Sequence, residues 1–352
     1  MHRYITRTLI VAGSIASLAA CSPPSTNGET LASGLVRLNI DPFAVTVSGF
    51  GSGAQMAQQF HVAQSERVRG AALVGVPPYG CGYGQPTRYL SESCSNPQNP
   101  AAAVQQQVEI AQKRAAARQI QSLQNLRNDH LWLMHGEDDA TIGRGSFNTV
   151  VDFYREFVDS ARISVEYVAR TGHLWPTVNY GVECSVSESP YLGNCDYDAA
   201  ELMLSALYGF LLQPEQNEQP LTEFDQRLAT TEGTSLSFAK TGLAKRGYAY
   251  IPKDCANGAP CSLHISFHGC DQNADSIGRT FAEHSGLNRW AEANRLVILY
   301  PQAQASDVNP RACWDGSGYT GPDYATLDGA QIEAMVQLIN HIAGVDPGLA
   351  DF

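Results

Sequence analysis

The sequence has no C-x-x-C pair, no internal repeat and, beyond its first twenty residues, no apolar run long enough to span a bilayer. The first absence argues against a structural zinc site, whose ligands come in closely spaced pairs. The second argues against solenoids and propellers, and the third against further membrane-spanning helices. Basic residues are also scarce: 23 Lys and Arg stand against 35 Asp and Glu in 352 residues, a formal charge of −12. Nucleic-acid binding rests on neutralising phosphates with Lys and Arg, so no nucleic-acid partner is expected. An anionic membrane surface is disfavoured for the same reason.

The N-terminus reads as an export signal. Arg3 and Arg7 precede an apolar stretch from Leu9 to Ala20, and Leu18-Ala19-Ala20-Cys21 resembles the end of a lipoprotein signal. Cleavage there leaves Cys21 as a lipidated N-terminus, the one membrane attachment expected. Ordinary cleavage nearby with Cys21 unmodified is the alternative. The organisation expected is a signal peptide over 1–20, a flexible tether over 21–35, including SPPSTNGETLASG, and one catalytic domain over 36–352. Localisation follows as periplasmic or anchored to the outer membrane, otherwise extracellular. Nine cysteines suit an exported protein. With Cys21 set aside, the remaining eight allow 105 pairings. Short spacings favour Cys81 with Cys94, Cys184 with Cys195 and Cys255 with Cys261, leaving Cys270 with Cys313.

Strands and helices alternate along the chain. Strand-like runs occupy 71–76, 130–135, 163–169, 248–251, 263–268 and 296–301, with helical patterns at 54–65, 101–127, 144–159, 197–212, 280–294 and 328–343. Such alternation predicts an α/β fold with a mostly parallel sheet covered by helices on both faces. The polar stretch 213–225 reads as a long surface connection within one domain, and the Ala- and Gln-rich helix over 101–127 as a solvated outer helix.

Residues 45–56, VTVSGFGSGAQM, read as strand, sharp turn and helix. Two devices have that shape. Gly49, Gly51 and Ala54 satisfy the dinucleotide fingerprint G-x-G-x-x-G/A, but no acidic residue ends the next strand to hold a ribose; that strand runs into Pro77-Pro78. No cofactor is therefore expected. The nucleophile elbow G-x-S-x-G is the other device, here with Gly51 at its centre and Ser52 one place late. Its companions occur in the order an α/β-hydrolase requires. Strand 130–135 runs into Gly136-Glu137-Asp138-Asp139, and strand 163–169 into Arg170-Thr171-Gly172-His173. Asp139 would orient His173, and His173 would serve as general base.

Taken block by block, the chain resembles the single-domain poly(3-hydroxybutyrate) depolymerases and related esterases. The blocks are VSGFGSGAQMAQQFHVAQS, GEDDATI, TGHLWPT, NCDYDAAELMLSALYGFL, LHISFHGCDQ, LVILYPQA and NPRACWDGSGYTGPDYATLDG, and they cover about residues 40–343. The resemblance implies a circularly permuted α/β-hydrolase, since the strand ending His268-Gly269-Cys270 follows the histidine instead of preceding the elbow. It also implies a polyester or hydroxyacid-ester substrate, with Asp139 and His173 as catalytic acid and base. The backbone N–H groups of Ser52 and Cys270 would form the oxyanion hole. Trp314 would border the substrate cleft, its plain alternative being a core tryptophan. The chain departs from the family at Gly51, where members carry serine, and at Gly316-Ser317, where further aromatic residues are usual.

Other histidines read as structural. His264 and His268 share one strand face but lack a third ligand nearby, so no metal site is expected. His61 and His135 read as packing residues, and the chain has no separate polymer-binding module. Two functional outcomes follow. One is an ester hydrolase, with Ser52 standing in as nucleophile or the loop rearranged to bring its Oγ to His173. The other is a catalytically silent relative that binds polyester or hydroxyacid oligomers.

Overall fold

The structure, a computed structural model, describes residues 34–82, 92–214, 218–230 and 236–345. Cys21, the signal segment and most of the tether lie outside them. Among the described residues, eleven strands form two sheets. They are β1 (Ile40–Phe50), β2 (Val68–Val74), β3 (His130–Gly136), β4 (Ile163–Val168), β5 (Trp175–Thr177), β6 (Val182–Glu183), β7 (Leu192–Asn194), β8 (Thr222–Asp225), β9 (Arg246–Tyr250), β10 (Cys261–Phe267) and β11 (Leu296–Tyr300). The large sheet has eight strands in the order β4-β3-β2-β1-β10-β11-β9-β8, and β5-β7-β6 form a small second sheet. All neighbours from β4 through to β11 run parallel; β9 is antiparallel to both β11 and β8.

Period-two alternation sends successive side chains to opposite faces of the large sheet. On β11, Val297 and Leu299 join one apolar core with Phe60, Phe147 and Ile339, while Leu296, Ile298 and Tyr300 join a second with Trp132, Met203 and Trp290. The helices Ser52–Ala63, Pro100–Ala116, Arg144–Arg155 and Ala330–Ala343 serve the first core, and Ala199–Tyr208 and Leu287–Asn294 the second. The α/β architecture expected from the sequence is the one observed; three disulfides pair as their short spacing favours, and Cys270 bonds Cys313 as the remaining pair.

Three elements differ from expectation. The helix over 101–127 stops at Ala116: Arg118 turns to a positive φ of 57°, and the chain doubles back so that Gln121 N–H reaches the Ala63 carbonyl. The helix over 280–294 divides at Gly286, whose φ of 84° breaks it into Thr280–His284 and Leu287–Asn294. The stretch 213–225 is more than a connection, because Thr222–Asp225 completes the sheet edge beside β9.

A polar ladder crosses the sheet centre on one face. Thr46 stands opposite His264 and Ser48 opposite Ser266; the His264 ring bonds Thr46 Oγ1 through Nδ1 and Ser48 Oγ through Nε2, each at 2.7 Å. At the strand end, His268 Nδ1 donates to the Gly269 carbonyl while Nε2 accepts from Ala303 N–H. Burial disfavours charge on both rings and lowers His264 to about 3 and His268 to about 4. Below about pH 6.5 the unfolded chain protonates both imidazoles while the native protein leaves them neutral, so U binds more protons and stability falls with pH. Their joint contribution is complete above that pH. As pH falls towards 4 it should be lost at about 1.4 kcal/mol per pH unit for each ring. Urea midpoints between pH 7 and pH 5 check this, and the slope should shrink by about one proton in His264→Gln. An unchanged slope in that variant contradicts it.

Candidate active site

Strand β1 delivers the chain into a turn that the glycines at 49 and 53 make possible. Gly51 has φ 54° and ψ −114°, and the helix Ser52–Ala63 begins at the next residue. A Cβ on Gly49 would sit 2.2 Å from the Gly53 carbonyl, and one on Gly53 would sit 2.1 Å from the Phe267 oxygen and 2.3 Å from that of His268. The absent side chains let the helix N-terminus press against the C-terminal end of β10. Gly51 N–H bonds the Val74 carbonyl of β2, which fixes the turn laterally.

The carboxylate and the imidazole come from the next two strand ends. Beyond β3 and β4 the loops are joined by Glu137 N–H to the Val168 carbonyl and Asp138 N–H to the Thr171 carbonyl, each at 2.9 Å. Asp139 Oδ1 accepts from Thr141 and Ile142 N–H at 2.8 and 2.9 Å, which leaves Oδ2 for His173 Nδ1 at 2.7 Å. A carboxylate only accepts, so Nδ1 carries the ring proton and Nε2 presents its lone pair. Asp139 is almost wholly buried, with 1% of its side chain exposed against 14% for His173. Phe50 packs on the ring at 4.6 Å between centroids, and His173 N–H bonds Ser187 Oγ at 2.7 Å.

His173 Nε2 faces Gly51. A Cβ built there would lie 3.2 Å from Nε2 and 3.7 Å from Cε1. Ser52, by contrast, is buried, and its Oγ has no hydrogen-bond partner among the described residues. The structure therefore brings Asp139, His173 and Gly51 together, and the Ser52 hydroxyl makes no hydrogen bond to the imidazole. The N–H groups of Ser52 and Cys270 have no acceptor among the described residues either. That of Ser52 is one of the unpaired donors of a helix first turn. Cys270 is held by its disulfide to Cys313, and Gly269 N–H by Gln272 Oε1 at 2.7 Å. Trp314 is fully buried, edge-on to Phe267 at 4.9 Å, and so lies in the core beneath β10 instead of on an open cleft wall.

His264 and His268 sit inside hydrogen-bonded networks, as do His61, bonded to Asp129 Oδ2 at 3.1 Å, and His135, bonded to the Ile142 carbonyl at 2.8 Å. Sequence reading missed Gly75, Phe50, Ser187 and Gln272. Gly75 has φ 57°, and a Cβ there would crowd His173 Nδ1 at 3.1 Å and Asp139 Oδ2 at 3.3 Å. Its one sequence signal was a glycine just before Pro77-Pro78 at a strand end.

No family model matches the chain. A poly(3-hydroxybutyrate) depolymerase from Delftia acidovorans is 31% identical over 335 residues, 93% of this chain; the chain spans 65% of that relative's length. A polyhydroxybutyrate depolymerase from Talaromyces funiculosus is 33% identical over 339 residues, covering 89% of this chain and 94% of its own. Among solved structures, the PHB depolymerase of Penicillium funiculosum superposes with a TM-score of 0.78 at 30% identity, over 88% of this chain and 99% of that one. A PHB depolymerase with a serine-to-alanine substitution, complexed with an R3HB trimer, superposes at 0.79 and 31% identity with the same coverage. Identity at that level over nearly the whole Talaromyces protein, on a shared fold, means that this chain belongs to the poly(3-hydroxybutyrate) depolymerase family.

Proposed function

We propose that the protein is an exported carboxylic ester hydrolase acting on hydroxyalkanoate polyester or its oligomers, slowed by glycine at the nucleophile position. Asp139 orients His173, His173 moves the proton, and the Ser52 and Cys270 amides receive the developing oxyanion. Ser52 contributes its backbone; its hydroxyl, without a bond to His173, is not the nucleophile. One observation carries this reading: His173 Nε2, with its tautomer fixed by Asp139, lies 3.2 Å from the place where a Cβ on Gly51 would stand. The substrate class follows from the relatives, one of which holds an R3HB trimer. The strand leading to Cys270 lies beside β1 yet follows His173 in the chain, the order a circularly permuted α/β-hydrolase would have. The missing oxygen also favours a second reading, a silent relative that binds polyester without cleaving it.

Two assays separate these readings. Hydrolysis of soluble hydroxybutyrate esters by the natural protein and by Gly51→Ser shows whether the machinery works. A fluorophosphonate probe with peptide mapping shows which serine, if any, reacts. A Gly51→Ser form that binds oligomers but neither hydrolyses nor labels supports the silent binder and overturns the hydrolase.

Export rests on the signal-like N-terminus and the four disulfides. The mature chain starts at Cys21, acylated, with the tether to residue 35 leading to a single catalytic domain over 36–352. Intact-mass analysis after alkylation without reduction should find acyl groups on Cys21 and no alkyl group on the other eight cysteines. An unacylated N-terminus removes the anchor, and uptake of several alkyl groups removes the disulfides.

A further inference from the structure

Resting on the hydrolase reading above, we infer that water takes the nucleophile's place: His173 Nε2 activates a water molecule held over Gly51, and this chain cleaves esters in one step without an acyl-enzyme. Three features converge on that position. The imidazole lone pair points at it, because Asp139 Oδ2 occupies Nδ1–H. Nε2 has no hydrogen-bond partner among the described residues, and the ring is partly open to solvent. Glycine leaves free the space where a serine CH₂OH would stand, with the would-be Cβ 3.2 Å from Nε2. A water hydrogen-bonds a ring nitrogen at about 2.8 Å, so one standing where the serine hydroxyl would be can donate to Nε2.

The step balances without a co-reactant. The water oxygen forms a bond to the ester carbonyl carbon while one of its protons passes to His173 Nε2. The carbonyl oxygen becomes the oxyanion, received by the Ser52 and Cys270 amides. Collapse of the tetrahedral intermediate breaks the bond to the alkoxy oxygen, which takes the proton from His173 and leaves as the alcohol. The acid product remains, and His173 returns to its starting state.

Alanine at position 51 separates this chemistry from any background. Its methyl group fills the water's place and brings no oxygen. With p-nitrophenyl 3-hydroxybutyrate, the natural protein should show a single phase without burst and no fluorophosphonate label. Gly51→Ala and His173→Ala should each fall at least about tenfold, with thermal melts confirming that both remain folded. Gly51→Ser should instead show a burst and a label on residue 51. The inference is overturned if the natural protein is no faster than Gly51→Ala or His173→Ala, or if it shows a burst or a labelled Ser52. In those cases an active Gly51→Ser leaves the hydrolase reading standing, whereas an inactive and unlabelled one removes that reading too.

Discussion

Gly51→Ser is expected to raise the hydrolysis of short soluble hydroxybutyrate esters by at least about a hundredfold. Removing the serine from a triad costs on the order of 10⁶ in turnover in subtilisin, while binding and the oxyanion hole leave about 10³ to 10⁴ over water. With Asp139, His173 and the Ser52 and Cys270 amides in the roles proposed above, the chain should recover a large part of that loss once the oxygen returns. The geometry accommodates the change. The new Cβ would stand 3.2 Å from His173 Nε2, a contact relieved by a ring shift of a few tenths of an ångström. The ring can give, since it borders solvent on one side. The positive φ of Gly51 disfavours an L-residue, and a strained turn of this kind is the ordinary seat of an elbow serine. Adding Asp139→Asn to Gly51→Ser should then remove most of the gain, because an amide no longer fixes the imidazole tautomer. If Gly51→Ser adds nothing while Ser52→Ala abolishes the natural activity, the register of the elbow is wrong and Ser52 is the nucleophile.

Gly53→Ala is expected to cost about 3 kcal/mol of stability, at the upper end of the range for overpacking. The added methyl would lie 2.1 Å from the Phe267 oxygen and 2.3 Å from that of His268, and both are backbone atoms that no rotamer change can move aside. The helix Ser52–Ala63 must therefore retreat from β10. All twelve of its residues are buried, so that retreat opens packing along its length. In thermal unfolding the midpoint should fall by roughly 5 °C. Activity in the Gly51→Ser background should drop with it, since the retreat separates the Ser52 amide from Cys270. By comparison, Gly145→Ala meets no atom within 4 Å and should leave both quantities near their starting values. A Gly53→Ala protein as stable as its parent contradicts the close approach of helix and strand.

The sequence by itself determined what depends on local pattern. Strands 130–135 and 296–301 could be read because apolar and β-branched residues alternate or cluster over a strand's length, and the observed β3 and β11 agree to within a residue. The strand, turn and helix around Gly51 were legible because glycine spacing reports backbone conformation directly. The order of Asp139 before His173 on successive strand ends was legible too, and it placed the two loops side by side. Short cysteine spacings indicated their own partners.

Only the tertiary structure decided the rest. Periodicity tells which face of an element is buried but not which side chain it meets, because that depends on register and on loops that bring distant segments together. Ser52 and Gly51 are adjacent in sequence, yet a side chain at 51 would meet His173 Nε2, while the Ser52 hydroxyl makes no hydrogen bond among the described residues. Gly75 and Ser187 touch the histidine from β2's end and from the disulfide-closed loop, neither of which has a local signal for that role. The burial of Trp314 edge-on to Phe267 likewise had no signal in its own stretch of sequence. The helix end at Ala116 was likewise invisible, because Gln121 docks on Ala63 through a backbone hydrogen bond that no side-chain pattern records.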